Sequence, residues 1–123
     1  MGLPRIHRLR GYRTFEALYA DSQQLRGERF RLRYRRVDEQ TPAQFAVVVS
    51  NKLAKKAVRR NRLKRQIRAA LRQLLPRCTR GWQVIVSAQP AALTGQYADF
   101  LRELEQLLQQ AGVLYGDSGG RVL

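Results

Sequence analysis

Residues 55–75 read KKAVRRNRLKRQIRAALRQLL, a run with no glycine or proline that is closed by Pro76. At about 100° per residue, Leu63, Ile67, Ala70, Leu71 and Leu74 gather into one stripe, while Asn61, Arg62, Arg65, Arg68 and Arg72 fall on the opposite side. This spacing predicts one long helix that packs by one face and displays a cationic ridge on the other. The flanking segments supply what it packs on. Upstream, residues 29–36 alternate, with Phe30, Leu32 and Tyr34 on one side and Arg31, Arg33 and Arg35 on the other, as in a half-buried strand with a cationic outer face. Turn residues at 38–42 separate that strand from a β-branched run at 45–49, so the two are expected to pair as a hairpin. Downstream, Gly81-Trp82 opens a third strand at 83–87, which Gln89-Pro90 ends.

Two shorter helices complete the reading. Phe15, Leu18 and Tyr19 recur at i, i+3 and i+4 within residues 12–20, and Phe100, Leu101, Leu104, Leu107 and Leu108 do so within 96–111, where Gly112 is placed to cap the end. The order helix, strand, strand, long helix, strand, helix gives an α/β two-layer sandwich with the helices on one face of a small sheet and the other face partly open. One domain is expected over residues 1–115, followed by a flexible tail at 116–123.

The chain has 123 residues, the size of one ordinary domain, and its 44% hydrophobic content is enough for a packed core. Its charge is lopsided. Twenty-four Lys and Arg stand against nine Asp and Glu, a formal charge of +15. No acid occurs between Glu39 and Asp99, whereas 12 of the 24 basic residues lie there. Such a footprint points to a polyanion, and to nucleic acid ahead of an anionic membrane surface. No apolar stretch is long enough to span a bilayer, and the basic N-terminus has no apolar run behind it, so a cytoplasmic protein is expected. Cys78 is the single cysteine, which rules out an internal disulfide and, with one histidine, a zinc site.

Catalytic side chains are scarce. The basic middle of the chain holds neither histidine nor paired carboxylates, and His7, the lone imidazole, sits in a terminal segment where it reads as a surface residue. No Gly-rich phosphate loop, nucleophile elbow or metalloprotease helix is present. The basic helix is the informative feature. Like charges at i and i+4 destabilise a helix by a few tenths of a kcal/mol per pair, so their accumulation without interleaved acids points to an external anionic partner.

In this helix the chain resembles the protein subunit of bacterial ribonuclease P. The family's signature is matched by Lys52, Lys56-Ala57, Arg60-Asn61-Arg62, Leu63, Lys64-Arg65 and Arg68. The resemblance extends over about nine-tenths of the chain and includes the Phe-x-x-Leu-Tyr helix from Phe15 to Tyr19. It implies an α/β sandwich with a left-handed strand–helix–strand crossover, against the usual right-handed rule. It also implies a division of labour. The catalytic RNA carries the chemistry, with magnesium held mainly by that RNA, and the protein contributes charge neutralisation and substrate positioning.

By the same resemblance, Lys52, Lys56, Arg59, Arg60, Asn61, Arg62, Lys64, Arg65 and Arg68 would contact the catalytic RNA. Phe15, Tyr19 and Arg33 would line a cleft for the single-stranded 5′ leader of precursor tRNA. Spacing alone favours reading Phe15 and Tyr19 as core residues of an amphipathic helix; it is the resemblance that points them to the cleft. The chain departs from the family pattern twice: Asn51-Lys52 stands where many members have Lys-Lys, and Arg33 stands where some have a Tyr, leaving Tyr34 on the other side of the pleat. Arg33 is suited to a phosphate instead. The implied partners are the catalytic RNA and precursor tRNA, with no membrane and no DNA. A structural ribosomal protein shares the size and basicity but often carries long basic extensions. A DNA-binding regulator would need a scaffold helix just before the basic one, and none precedes it.

Overall fold

The computed structural model describes residues 2–115. The tail expected at 116–123 lies outside them. The chain forms α1 (Tyr12–Ala20), β1 (Gln23–Arg26), β2 (Phe30–Arg36), β3 (Gln44–Val48), α2 (Ala57–Leu74), β4 (Trp82–Ala88) and α3 (Tyr97–Ala111), with short 3-10 turns at Arg5–His7, Leu75–Arg77 and Pro90–Thr94. The α/β architecture is as expected.

The sheet order is β1-β2-β4-β3. β2 runs antiparallel to both β1 and β4, with Leu32 opposite Leu25 and Val86, whereas β3 runs parallel to β4 with Phe45 opposite Val84. The hairpin expected between residues 29–36 and 45–49 therefore does not form, because β4 lies between those strands. Two features decide this. Val84, Ile85 and Val86 are all fully buried, which requires a central strand covered on both faces. A parallel β3–β4 pair needs a long crossover, and α2 is that crossover. The hairpin partner of β2 is β1, Gln23-Gln24-Leu25-Arg26, too short and polar to show an alternation.

The helices do not all share one face, which corrects the expected layering. On one face Phe30, Leu32, Tyr34, Phe45, Val84 and Val86 meet Leu63, Ile67, Ala70, Leu71 and Leu74 of α2 and Phe100, Leu104, Leu107 and Leu108 of α3. The rings of Phe30 and Phe100 pack edge-to-face at 5.3 Å. On the other face a smaller cluster of Leu9, Leu18 and Ile85, with Phe15, Ala46 and Val48 against it, seats α1 on the sheet. Each fully buried side chain of this kind contributes about 1.5 to 3 kcal/mol. The turn between β1 and β2 is tied to α3 by Glu103. Its Oε2 accepts the backbone N–H groups of Arg29 at 2.8 Å and Phe30 at 2.9 Å.

Local chemistry sets the ends. Asp99 accepts the backbone N–H of Gln96 at 3.0 Å at the start of α3, and Gly112 closes its end at φ 86°, where its N–H reaches the Gln109 carbonyl. Gly81 precedes β4 at φ 92°; its N–H donates to the Thr41 carbonyl, and a side chain there would run into the Asp38 carbonyl. The N-terminal segment closes the free edge of β3. Leu9 donates its N–H to the Phe45 carbonyl at 2.9 Å, and His7 Nδ1 lies 2.7 Å from the Ala43 carbonyl oxygen. His7 is thus a clip on the sheet edge.

Candidate nucleic-acid interface

The five-residue apolar stripe of α2 is buried in full, so the direction of every other side chain on the helix is set by its offset from that stripe. Asn61 and Arg65 stand outward and exposed. Arg59 and Arg62 take the flank that faces the 90–97 segment, where they wall a hollow with Gln66, Leu93 and Tyr97. Lys64 and Arg68 take the other flank, and Arg68 meets Gly2, Arg8 and Arg10 around a second hollow beside β3. Arg60 is turned to a different task. Its guanidinium donates to the carbonyls of Ala54 at 2.9 Å and Lys55 at 2.8 Å, bracing the loop that leads into α2. Lys56 is the exposed residue just before the first turn, which has no side-chain cap.

The opposite face of the sheet carries the second constellation. The pleat and register bring Arg31, Arg33 and Arg35 of β2 to the face that also bears Ile85 and Ser87 of β4 and Arg26 of β1. α1 lies over part of this face and leaves the rest open beside it. Phe15 is half-buried against the Leu9–Leu18–Ile85 cluster, whereas Tyr19 is 49% exposed and has the Arg33 guanidinium 4.9 Å from its ring centre. Tyr34 points the other way, buried and 6.0 Å from the Trp82 ring. Phe15 and Tyr19, grouped in the sequence, therefore occupy different environments: one partly fills a core, the other has a free aromatic surface.

Lys52 is not part of the α2 ridge. It joins Arg26, Arg31, Ser50, Ser87 and Gln89 around a hollow of about 420 Å³ at one end of the sheet face. Arg26 and Arg31 were missing from the expected site, as were Arg8 and Arg10. The alternation of β2 already placed Arg31 on the side of Arg33; Arg26 was out of reach because β1 itself carries no readable pattern.

Electrostatics separate these surfaces from the rest. Among the described residues the ion pairs are Arg29–Glu28, Arg29–Glu103 and Arg77–Glu105, and none touches α2 or the sheet-face row. Guanidinium groups without acidic partners keep their charge for phosphates, although Arg8, Arg26, Arg35, Arg60 and Arg72 already donate to carbonyl or amide oxygens of the protein. Among the described residues there is no cluster of three or more His, Cys, Asp or Glu that would hold a metal, and a surface of Arg and Lys repels a dication. The residues present do not fit a protein-held magnesium ion. No helix among the described residues is long and apolar enough to cross a membrane.

The fold is shared with known proteins. The structure superposes on the RNase P protein of Staphylococcus aureus with a TM-score of 0.76, at 23% identity, covering 88% of this chain and 97% of that one. It superposes on the RNase P protein of Thermotoga maritima with a TM-score of 0.75, at 25% identity, over 84% and 96%. In sequence, the ribonuclease P protein component of Microcystis aeruginosa is 44% identical over 119 residues, which is 94% of this chain and 99% of the relative. That of Synechocystis is 37% identical over the whole of both chains. The profile of the Ribonuclease P family matches residues 3–112, from the segment that clips β3 to the glycine that ends α3. With the family profile, the aligned length and the fold all in agreement, the chain belongs to the ribonuclease P protein family, the protein component of an enzyme of tRNA processing.

Proposed function

We propose that this chain docks on the catalytic RNA of ribonuclease P through α2 and guides the 5′ leader of precursor tRNA across the opposite face of the sheet. One observation supports the reading above others: two cationic surfaces without acidic partners lie on opposite sides of one sheet, so a single rigid domain can hold two RNA strands at once. Asn61, Arg62, Lys64, Arg65, Arg59 and Arg68 supply phosphate contacts along the helix, with Lys56 at its start. Arg60 contributes by fixing the loop before the helix.

On the sheet face Tyr19 offers an exposed ring to an unpaired base, and Arg33 beside it meets the neighbouring phosphate. Stacking of this kind contributes about 1 to 3 kcal/mol per base with little sequence preference, which suits leaders of varied sequence. Phe15 supports the helix that presents Tyr19. Arg31, Arg26 and Lys52 continue the cationic track past the end of α1. Magnesium, in this reading, stays with the phosphates of the RNA, and the protein's part is to lower repulsion between two polyanions and to hold the substrate in register.

The test is a comparison of two ligands on the reconstituted holoenzyme. Parent and Tyr19→Leu are titrated with precursor tRNA carrying a leader and with the mature tRNA. The reading expects weaker binding of the precursor alone. Equal losses for both ligands overturn the leader track, and parent-like affinity of an Asn61→Ala/Arg65→Ala variant for the catalytic RNA overturns docking through α2.

A further inference from the structure

The hollow beside α2 differs in kind from the ridge that borders it. It measures about 580 Å³ and is lined by Leu63, Leu93, Tyr97, Gln66, Arg59 and Arg62 among others, while the side chain of Gln96 at its rim is engaged in the capping box of α3. Leu63 lies buried beneath it, and Tyr97, partly buried against the main core, adds an aromatic side chain to a lining that is otherwise mostly polar. A phosphate would leave the aromatic side chain unused. A flat heterocycle with ring donors and acceptors uses it: it stacks on an aromatic face and exchanges hydrogen bonds with a side-chain amide, which both donates and accepts. The two exposed guanidinium groups of Arg59 and Arg62 then meet the phosphates on either side of it.

We infer that this hollow receives one unpaired base of the catalytic RNA, turned out of its strand and held between Tyr97 and the Gln66 amide. The inference rests on docking through α2 and adds to it a contact that reads a base. Phosphate contacts fix position without reading sequence, whereas an amide facing a base edge discriminates. The volume is ample for a nucleotide-sized guest, and the residues come from α2, the 3-10 turn at Pro90–Thr94 and the start of α3, all of which pack on the main core.

The probes are a transcript of the organism's own catalytic RNA and a precursor tRNA, each measured against the full chain. Tyr97→Leu removes the ring and keeps apolar bulk; it is expected to weaken binding of the catalytic RNA roughly 5- to 150-fold, the equivalent of one lost stack. The slope of affinity against salt stays as in the parent, because no phosphate contact is lost. Tyr97→Phe restores parent affinity. Chemical probing of base edges is expected to find one unpaired position of the catalytic RNA protected by the parent and reactive again with Gln66→Ala, a second variant that tests the hollow even if Tyr97→Leu fails to fold. Protection of a position in precursor tRNA instead would overturn the assignment to the catalytic RNA. Parent-like binding by folded Tyr97→Leu and Gln66→Ala, with loss by Asn61→Ala/Arg65→Ala, overturns the base contact and leaves α2 docking standing. Parent-like binding by all of them overturns both.

Discussion

The guanidinium of Arg33 sits 4.9 Å from the centre of the Tyr19 ring, joining β2 to α1 beside the open part of the sheet face. The contact is worth about 0.5 to 1 kcal/mol at such an exposed site. It holds the Tyr19 ring in place with much of its surface open to solvent.

Tyr19→Leu should therefore leave the fold intact, with a stability loss of no more than about 1 kcal/mol, the worth of the Arg33 contact it removes. Binding of leader-bearing precursor tRNA to the holoenzyme should fall roughly 5- to 150-fold, and binding of mature tRNA should not change. Phe15→Leu should show the reverse balance, a loss of stability seen in urea melts with a smaller effect on the precursor, since its ring packs on Leu9, Leu18 and Ile85.

Arg65→Ala removes an exposed donor of α2 with no acidic partner. The expected result is a flatter dependence of log affinity for the catalytic RNA on log salt, by roughly 0.7 to 0.9 per lost phosphate contact. Binding isotherms at four or five salt concentrations measure this directly. An unchanged slope removes Arg65 from the interface.

Arg60→Ala should behave differently from its neighbours in the same motif. Its guanidinium donates to two backbone carbonyls, so its loss should cost about 1 to 2 kcal/mol of stability, read from the urea midpoint of the free protein. A variant that melts like the parent but binds RNA poorly would make Arg60 a direct ligand instead.

Burial pushes the Cys78 thiol up from 9.0 to about 12, with Arg77 opposing the shift. In the unfolded chain the thiol ionises near its ordinary value, while the folded chain keeps the proton. Folding stability is therefore untouched by this group below about pH 8 and falls as pH rises from 9 towards 12, by up to 1.4 kcal/mol per unit. Cys78→Ala should flatten that part of the stability profile, and alkylation of native protein at pH 8 should be much slower than in urea.

The long helix was legible because its stripe is unbroken: each of Leu63, Ile67, Ala70, Leu71 and Leu74 is buried, and Pro76 stops the pattern where α2 ends. The alternation of β2 likewise gave the correct faces, with Phe30, Leu32 and Tyr34 buried and Arg33 on the cleft side. Neighbours were not legible. A period of two says which side of a strand is apolar and nothing about which strand lies beside it, so the turn at 38–42 suggested a hairpin that β4 displaces. The same ambiguity hid the second face. Leu18 reads as one apolar residue on an amphipathic helix whichever side of the sheet that helix covers, and only Ile85, buried opposite to Val84 and Val86, shows that α1 lies across from α2. At the site, residue types in the basic motif were readable, but the separate task of Arg60 depends on where the carbonyls of Ala54 and Lys55 point.

The sparse ion pairing has one more consequence. With a formal charge of +15, and with Arg29 and Arg77 as the basic side chains in ion pairs among the described residues, the compact chain repels itself more than the expanded chain does. Added salt screens that self-repulsion and favours folding, while the same salt competes for the phosphates of a bound polyanion and favours release. Ionic strength thus acts with opposite signs on the fold and on the complex. A bound polyanion would offset at low salt the self-repulsion that added salt screens in the free domain.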